Sequence, residues 1–74
     1  MEADKVIIHV RFMPNGSVSE IGERPAEHTP QQWFDFLSLN AGDHYQTLAG
    51  GRGVFRLIRG QVDRLKVEAL TVAA

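Results

Sequence analysis

The feature that most constrains the fold of this chain is the alternation of residues 5–13, which read KVIIHVRFM. The even-numbered positions from Val6 to Phe12 are all apolar, whereas the odd-numbered positions between them include His9 and Arg11. A two-residue period rich in β-branched residues is typical of a strand that buries one of its faces. The sequence therefore predicts an N-terminal strand with one apolar face and one mixed face.

The next four residues, PNGS, end this strand and turn the chain back. Proline interrupts the alternation, and the pair Asn15-Gly16 favours a hairpin turn because both residue types tolerate a positive φ. We therefore expect residues 17–21 to return as the second strand of a β-hairpin. Their apolar members Val18 and Ile21 do not fit a strict alternation, which indicates a bulge or an early strand end.

A helix is predicted after the polar loop 22–28, where the sequence reads TPQQWFDFLSLN. Thr29 can cap this helix, Pro30 suits its first turn, and Gln32 completes a capping box with the threonine. Asn40, followed by Ala-Gly, ends the helix. The stripe expected to face the core, widened by Phe34, comprises Trp33, Phe36, Leu37 and Asn40.

The C-terminal half contains one clear strand and two ambiguous segments. Residues 53–59, GVFRLIR, read as a strand. Residues 43–51 favour a short helix or an irregular turn, with a strand through Tyr45 and Thr47 as the alternative. Beyond the strand, apolar residues recur every three or four positions and predict a helix, against the alternative of a strand over residues 65–72. The helical stripe consists of Ile58, Val62, Leu65, Ala69 and Val72.

These elements predict a single small α+β domain spanning residues 1–74, in which an antiparallel sheet carries helices on one face. A chain of 74 residues without cysteine has a marginal core and no disulfide to stabilise it. Small folds of this kind often gain stability by association. We therefore expect a homodimer or a subunit that docks onto a larger protein.

The charge of the chain is unevenly distributed, although its net value is only −1. Residues 1–49 hold three cations and seven acids, a balance of −4, whereas residues 50–74 hold five cations and two acids, a balance of +3. Such asymmetry arises when oppositely charged halves face each other, within a monomer or across a dimer. It also arises when one half binds an anionic partner, which makes a small nucleic-acid-binding domain the alternative function. The candidate contacts are Arg52, Arg56, Arg59, Arg64 and Lys66.

The stretch GGRGVFRLIRG at residues 50–60 raises the question of a phosphate-binding loop. Such a loop needs a lysine and a hydroxyl, or glycines that lead into a helix, and this one leads into a strand. Glycines before a strand indicate a turn in which one or two of them adopt a positive φ. Arg52 and Arg56 share one strand face and Arg59 has the opposite parity, so no continuous arginine stripe is expected.

The strongest interaction signal is the crowding of three aromatic residues, Trp33, Phe34 and Phe36, on one short helix. A helix of this length on a thin sheet is not expected to bury three rings against that sheet alone. In one interpretation a ring closes the edge of the core, as is common for tryptophan. In the other, Trp33 or Phe34 belongs to an exposed apolar patch that meets a protein partner or a second copy of the chain. The leading prediction is a non-enzymatic protein-interaction module that uses Trp33, Phe34 and Phe36.

No catalytic or metal-binding pattern stands out. The histidines His9, His28 and His44 lack the spacing of convergent metal ligands and are expected to be ordinary surface or capping residues. There is no cysteine and no serine in a nucleophile motif, so neither an enzyme nor a cofactor is expected, and no small-molecule substrate is evident. The N-terminal residues do not resemble a secretory signal, and no apolar run is long enough for a membrane span, which predicts a cytoplasmic protein.

Overall fold

A computed structural model describes residues 4–72, in which the order strand–strand–helix occurs twice. The helices are α1 (Pro30–Ala41) and α2 (Arg59–Val72), and a 3₁₀ turn at Gly42–His44 follows α1. The α+β class, the N-terminal hairpin, the central helix and the C-terminal helix predicted from the sequence are confirmed. The strands are β1 (Lys5–Phe12), β2 (Val18–Ile21), β3 (Tyr45–Leu48) and β4 (Arg52–Ile58).

The four strands form one antiparallel sheet in the order β2-β1-β4-β3, so β1 and β4 occupy its centre. Ile8 lies across from Phe55 and Val6 lies across from Leu57, which puts the apolar sides of both central strands on one face. Both helices pack on this face and enclose the core with it. The covered face consists of Val6, Ile8, Val10, Phe12, Val18, Ile21, Tyr45, Thr47, Gly53, Phe55 and Leu57.

The N-terminal hairpin turns where the sequence predicts it. Gly16 has a φ of +91°, and the side chain of Asn15 accepts a hydrogen bond of 2.9 Å from the backbone N–H of Ser17. The pairing of β1 with β2 shifts register between Arg11 and Phe12, which agrees with the first of the two predicted alternatives, a bulge, rather than an early strand end.

The first helix is capped as its sequence predicts. The Thr29 Oγ1 accepts a hydrogen bond of 3.1 Å from the Gln32 backbone N–H, and the Gln32 Oε1 accepts one of 2.8 Å from the Thr29 backbone N–H. The expectation that Asn40 faces the core is wrong. Its amide is exposed and donates to the Phe36 carbonyl. The buried positions of α1 recur every four residues at Trp33, Leu37 and Ala41, and Asn40 lies beside this stripe.

Both ambiguous segments of the C-terminal half are resolved. The 3₁₀ turn is followed by strand β3, so the strand alternative is correct from Tyr45 to Leu48, where pairing with β4 outweighs the local preference for a turn. The helix predicted after β4 is confirmed, and Val62, Leu65 and Ala69 are its buried residues. Ile58 does not join that stripe, because it is the last residue of β4. The side chain of Val72 lies outside the described part.

The glycine-rich stretch is a turn between β3 and β4, as predicted. Gly50 and Gly51 have φ values of +78° and +69°, a region that L side chains rarely adopt. Gly53 has a different role, because the Tyr45 ring lies against its Cα and a Cβ there would come within 2.7 Å of the Tyr45 Cε1. The turn therefore delivers Arg52 to the first position of a central strand.

Candidate functional site

The second face of the sheet has no helix over it within residues 4–72, and this open face is the candidate functional site. It is formed by the odd-numbered positions of β1 and the even-numbered positions of β4, together with their partners on the edge strands. The pairing register brings these side chains next to one another. The open face consists of Lys5, Ile7, His9, Arg11, Glu20, Gln46, Leu48, Arg52, Val54, Arg56 and Ile58.

The open face is strongly basic. It holds the four cations Lys5, Arg11, Arg52 and Arg56 against the single carboxylate of Glu20, a net charge of +3 with histidine neutral. The other described residues hold four cations and seven carboxylates, a net charge of −3. Opposite charges are thus separated by position in the fold rather than by halves of the chain, because β1 places two cations from the acidic half beside β4.

Two of the remaining cations have a carboxylate partner away from the open face. Glu23, in the loop after β2, accepts hydrogen bonds from Lys66 at 2.7 Å and pairs with Arg59 at 2.8 Å. The hydrogen bond from Lys66, together with the positive charges of Lys66 and Arg59, lowers the pKa of Glu23 and outweighs the opposing effect of burial. Glu23 therefore fastens its loop to α2, and two candidate nucleic-acid contacts serve as structural ion-pair partners.

The cations of the open face have no comparable partners. No carboxylate of residues 4–72 lies within 4.0 Å of their charged nitrogens, although Glu20 is directly across from Arg11. The Arg52 Nε donates to the Ala49 carbonyl at 3.4 Å, and Arg56 donates to the side-chain oxygen of Gln46. Their positive charge is therefore left to solvent or to a binding partner.

Aliphatic residues lie between these cations. Ile7 is 52% exposed and Ile58 is 39% exposed, while Leu48 is half-buried. Val54 is only 2% exposed but lies apart from the main core cluster. Gln46 lies directly across from Val54, and its side-chain oxygen accepts a hydrogen bond from Arg56, two residues further along β4.

The open face has two open grooves, one at each end of the central strands. The first has a volume of about 520 Å³ and includes His9, Arg11, Glu20, Leu48 and Arg52 in its lining. The second has a volume of about 450 Å³, and its lining includes Lys5, Ile7, His44, Arg56 and Ile58. Each groove therefore combines aliphatic surface with two cations.

The predicted basic contacts do not form one surface. Arg52 and Arg56 lie on the open face, Arg59 and Lys66 are held by Glu23, and Arg64 is exposed on α2. The prediction that no continuous arginine stripe exists along β4 and α2 agrees with this arrangement. The basic C-terminal half therefore contributes two of the five residues to the site.

The predicted aromatic contacts lie largely inside the protein. Trp33 is fully buried and its indole N–H donates to the Gly22 carbonyl at 3.1 Å, so an exposed Trp33 is ruled out in this structure. Phe34 and Phe36 are half-buried and pack against the core. The ring of Phe34 packs against the rings of Phe12, Tyr45 and Phe55 on the sheet, and the ring of Phe36 stacks on that of Trp33. The binding role of Trp33, Phe34 and Phe36 stays an untested prediction.

The histidines lie in three different settings. His9 is exposed on the open face and His44 is exposed in the 3₁₀ turn. His28 was expected at the surface or as a cap, but it is buried, with its Nε2 at 3.1 Å from the Ala69 carbonyl oxygen of α2. Within the described chain, no group of three or more potential ligands could hold a metal ion, and neither helix is long and apolar enough to cross a membrane.

Sequence reasoning missed Lys5, His9 and Arg11 as members of the site. The signal that could have found them is the alternation of β1, which places all three on the side opposite its apolar positions. The local pattern does not contain the pairing register, which sets this side of β1 next to Arg52 and Arg56.

Comparisons of the chain with protein-family models, with curated protein sequences and with solved structures give no match.

Proposed function

We propose that this protein is a non-enzymatic binding module that docks an acidic protein partner on the open face of its sheet. The observation that carries the proposal is the mixture of exposed aliphatic residues with four cations that have no carboxylate within ion-pair distance in residues 4–72. The folded domain gains little from either feature. A partner that covers the aliphatic residues and supplies carboxylates would use both.

The arrangement of the residues favours a protein as the partner. Ile7 lies directly across from Arg56, and Ile58 lies directly across from Lys5. Protein interfaces commonly bury apolar residues at their centre, are enriched in arginine and place charged groups at a solvated rim. Complementary charge would also accelerate the encounter with an acidic surface.

The predicted homodimer is not expected to use this surface. Two open faces brought together would set a charge of +3 against a charge of +3, which opposes association unless salt screens it. Self-association through another surface stays a prediction, and the solution mass measured by light scattering tests it.

Nucleic acid is the second candidate partner, and the four solvated cations of the open face support it. Two features count against it. The open face carries no phenylalanine, tyrosine or tryptophan on which a base could stack. The net charge of the chain is −1, whereas nucleic-acid-binding domains are usually basic.

The experiment that tests the proposal compares two fluorescent probes by anisotropy. The first probe is an acidic peptide in which leucines separate glutamates, and the second is a single-stranded oligonucleotide of equal charge. The variants are Arg56→Gln and Ile7→Ala, with Arg64→Gln as the control, because Arg64 is an exposed cation off the open face.

We expect the peptide to bind more weakly by about tenfold with Arg56→Gln and about fivefold with Ile7→Ala, since both the charge and the aliphatic surface contribute. The control should bind as the unmodified protein does. An oligonucleotide that binds more tightly than the peptide, depends on Arg56 and ignores Ile7 would favour the second candidate. No binding of either probe at low salt would overturn both.

A further inference from the structure

Arg11 and Arg52 form an unusual pair at one end of the two central strands of the sheet. They are direct partners across β1 and β4, so their Cα atoms are separated by about 4.5–5.5 Å and both side chains leave the same face. Like charges directly opposite each other on neighbouring strands are unfavourable. The chain has no carboxylate within 4.0 Å of either guanidinium in residues 4–72 to relieve this repulsion.

The surroundings of the pair form a concave site. Both arginines line the groove of about 520 Å³, and His9 lines it from β1 two residues before Arg11. A volume of this size lies within the usual range for small-molecule sites. Arg52 is partly oriented, because its Nε donates to the Ala49 carbonyl of the glycine turn at 3.4 Å.

The chemistry of the groove matches a doubly charged oxyanion. Each guanidinium presents a planar fork of N–H donors that fits carboxylate or phosphate oxygens. One fork is sufficient for the single charge of a carboxylate. The two guanidinium groups supply positive charge and N–H donors for the three terminal oxygens of a phosphate monoester. The His9 imidazole adds a further N–H donor, because it carries at least one N–H whether or not it is protonated.

We infer that the groove between Arg11 and Arg52 binds a phosphate monoester. The bound phosphate lies between the two guanidinium groups and relieves their repulsion. Glu20 lines the same groove from β2, directly across from Arg11, and repels the ligand. The two positive charges and the one negative charge of the groove therefore give the site a moderate affinity for phosphate, and replacement of Glu20 by a neutral residue raises that affinity.

The assignment of this phosphate to a protein partner rests on the proposed function, whereas the phosphate site itself does not. If the partner is a protein, the ester is a phosphorylated side chain of that protein. The groove lies at one end of the open face, and the aliphatic groove with Ile7 and Ile58 at the other end receives the flanking residues. A free phosphate ester would use the first groove alone.

The test titrates the full chain with inorganic phosphate, and with chloride at equal ionic strength, while the Nε–H signals of the arginines are followed by NMR. A second titration uses an acidic peptide with one phosphoserine and the same peptide with serine. A third uses a single-stranded oligonucleotide. The variants are Arg52→Gln, Glu20→Gln and, as the control cation outside the groove, Arg64→Gln.

We expect saturable shifts of the Arg11 and Arg52 signals with phosphate but not with chloride. Affinity for phosphate should fall about tenfold in Arg52→Gln, rise severalfold in Glu20→Gln and stay unchanged in Arg64→Gln, because charge-assisted hydrogen bonds carry the binding. The phosphoserine peptide should bind more tightly than the serine peptide. Far-UV circular dichroism checks that each variant is folded.

Linear shifts that are equal for phosphate and chloride, or equal losses in Arg52→Gln and Arg64→Gln, would overturn the phosphate site. Saturable binding of inorganic phosphate with no gain from the phosphopeptide would keep the groove and overturn the protein source of the ester. An oligonucleotide that competes with phosphate and binds more tightly than the phosphopeptide would assign the site to a phosphodiester and overturn the monoester. These outcomes also separate the groove from the docking proposal, which can fail while phosphate still binds.

Discussion

The two faces of the sheet are formed by the same four strands, but one face is an apolar core and the other is an exposed basic surface. On the covered face, Ile8, Phe55 and Leu57 are buried beneath the helices. On the open face, the neighbouring positions carry cations and exposed aliphatic residues. Since successive side chains of a strand point to opposite faces, the sequence of β1 and β4 can specify the core on one side and a different surface on the other.

The difference teaches where to look for function in a small sheet. Most residues of the covered face are accounted for by the core, because they are buried or pack against it. The open face is not accounted for in this way, because Ile7 and Ile58 remain exposed and Arg11 lies directly across from Arg52, an unfavourable position for two like charges. Residues that the fold does not need are better explained by binding. A substitution is therefore expected to change the free energy of unfolding by different amounts on the two faces.

The largest difference is expected between Trp33 and Ile7. Trp33→Ala removes the largest fully buried side chain and its hydrogen bond to Gly22, and should lower the free energy of unfolding by about 3–5 kcal/mol. A loss of this size is expected to unfold much of a small domain. Ile7→Ala, on the open face, should cost less than about 1 kcal/mol. Urea denaturation followed by far-UV circular dichroism measures both, and equal costs would contradict the distinction between the faces.

A smaller but sharper effect is expected at Gly53, which lies on the covered face beneath Tyr45. Gly53→Ala would bring a Cβ within 2.7 Å of the Tyr45 Cε1, so the ring must move and the variant should lose about 1–3 kcal/mol. The matched control is Gly60→Ala in α2, where a Cβ meets nothing within 4 Å. That substitution should be neutral or stabilise the helix by up to about 1 kcal/mol. If both variants behaved alike, the contact of Tyr45 with Gly53 would not limit the fold.

A pH-dependent effect is expected at Glu23, the carboxylate that pairs with Lys66 and Arg59. Its pKa in the folded protein is lowered from the ordinary value of 4.5, so its contribution to stability is present above that pH and is lost as the pH falls through the lower folded value. Glu23→Gln should cost up to about 1 kcal/mol near neutral pH, because the ion pairs are partly solvated.

The difference in stability between the unmodified protein and Glu23→Gln should therefore shrink on acidification. Thermal unfolding at several pH values measures it. Glu27→Gln is the control, because Glu27 is exposed in the same loop and has no cation within 4.0 Å in the described residues. A constant difference across the acid range would rule out the ion pairs as its cause.

Local signals in the sequence predicted most of the fold. The capping box at Thr29 and the hairpin at Asn15-Gly16 rely on interactions between residues a few positions apart, so they could be read directly. The local pattern of residues 43–51 favours a turn over strand β3, because the stability of this strand comes from pairing with β4 and from the contact of Tyr45 with Phe55. That information is tertiary and is not contained in a local pattern.

The candidate site could be predicted only in part, for the same reason. The charge of their segment predicts Arg52 and Arg56 as contacts, but Arg11 joins them only through the register of β1 with β4. The same segment charge also predicts Arg59 and Lys66, which are instead paired with Glu23, a residue distant in sequence. Net charge by segment therefore identifies cations without telling which of them the fold pairs internally.

The smallest expected effect has the opposite sign from the others. Arg52→Gln removes one member of the repelling pair on the open face and should raise the free energy of unfolding by up to about 0.5 kcal/mol at low ionic strength. The hydrogen bond of Arg52 to Ala49 is long at 3.4 Å and exposed, so its loss offsets little of this gain. Because salt screens exposed charges, the gain should vanish at high ionic strength.

A double-mutant cycle with Arg11→Gln isolates the repulsion, and Arg64→Gln, a cation without a direct cross-strand partner, should show no such gain. A coupling energy that shows the two arginines destabilising each other would mean that replacing either one stabilises the free protein. Substitution of core residues on the covered face, in contrast, destabilises it. Zero coupling would mean that the two guanidinium groups are already separated by solvent. The stress that a bound phosphate is proposed to relieve would then be absent, and affinity for phosphate would depend on donor geometry alone.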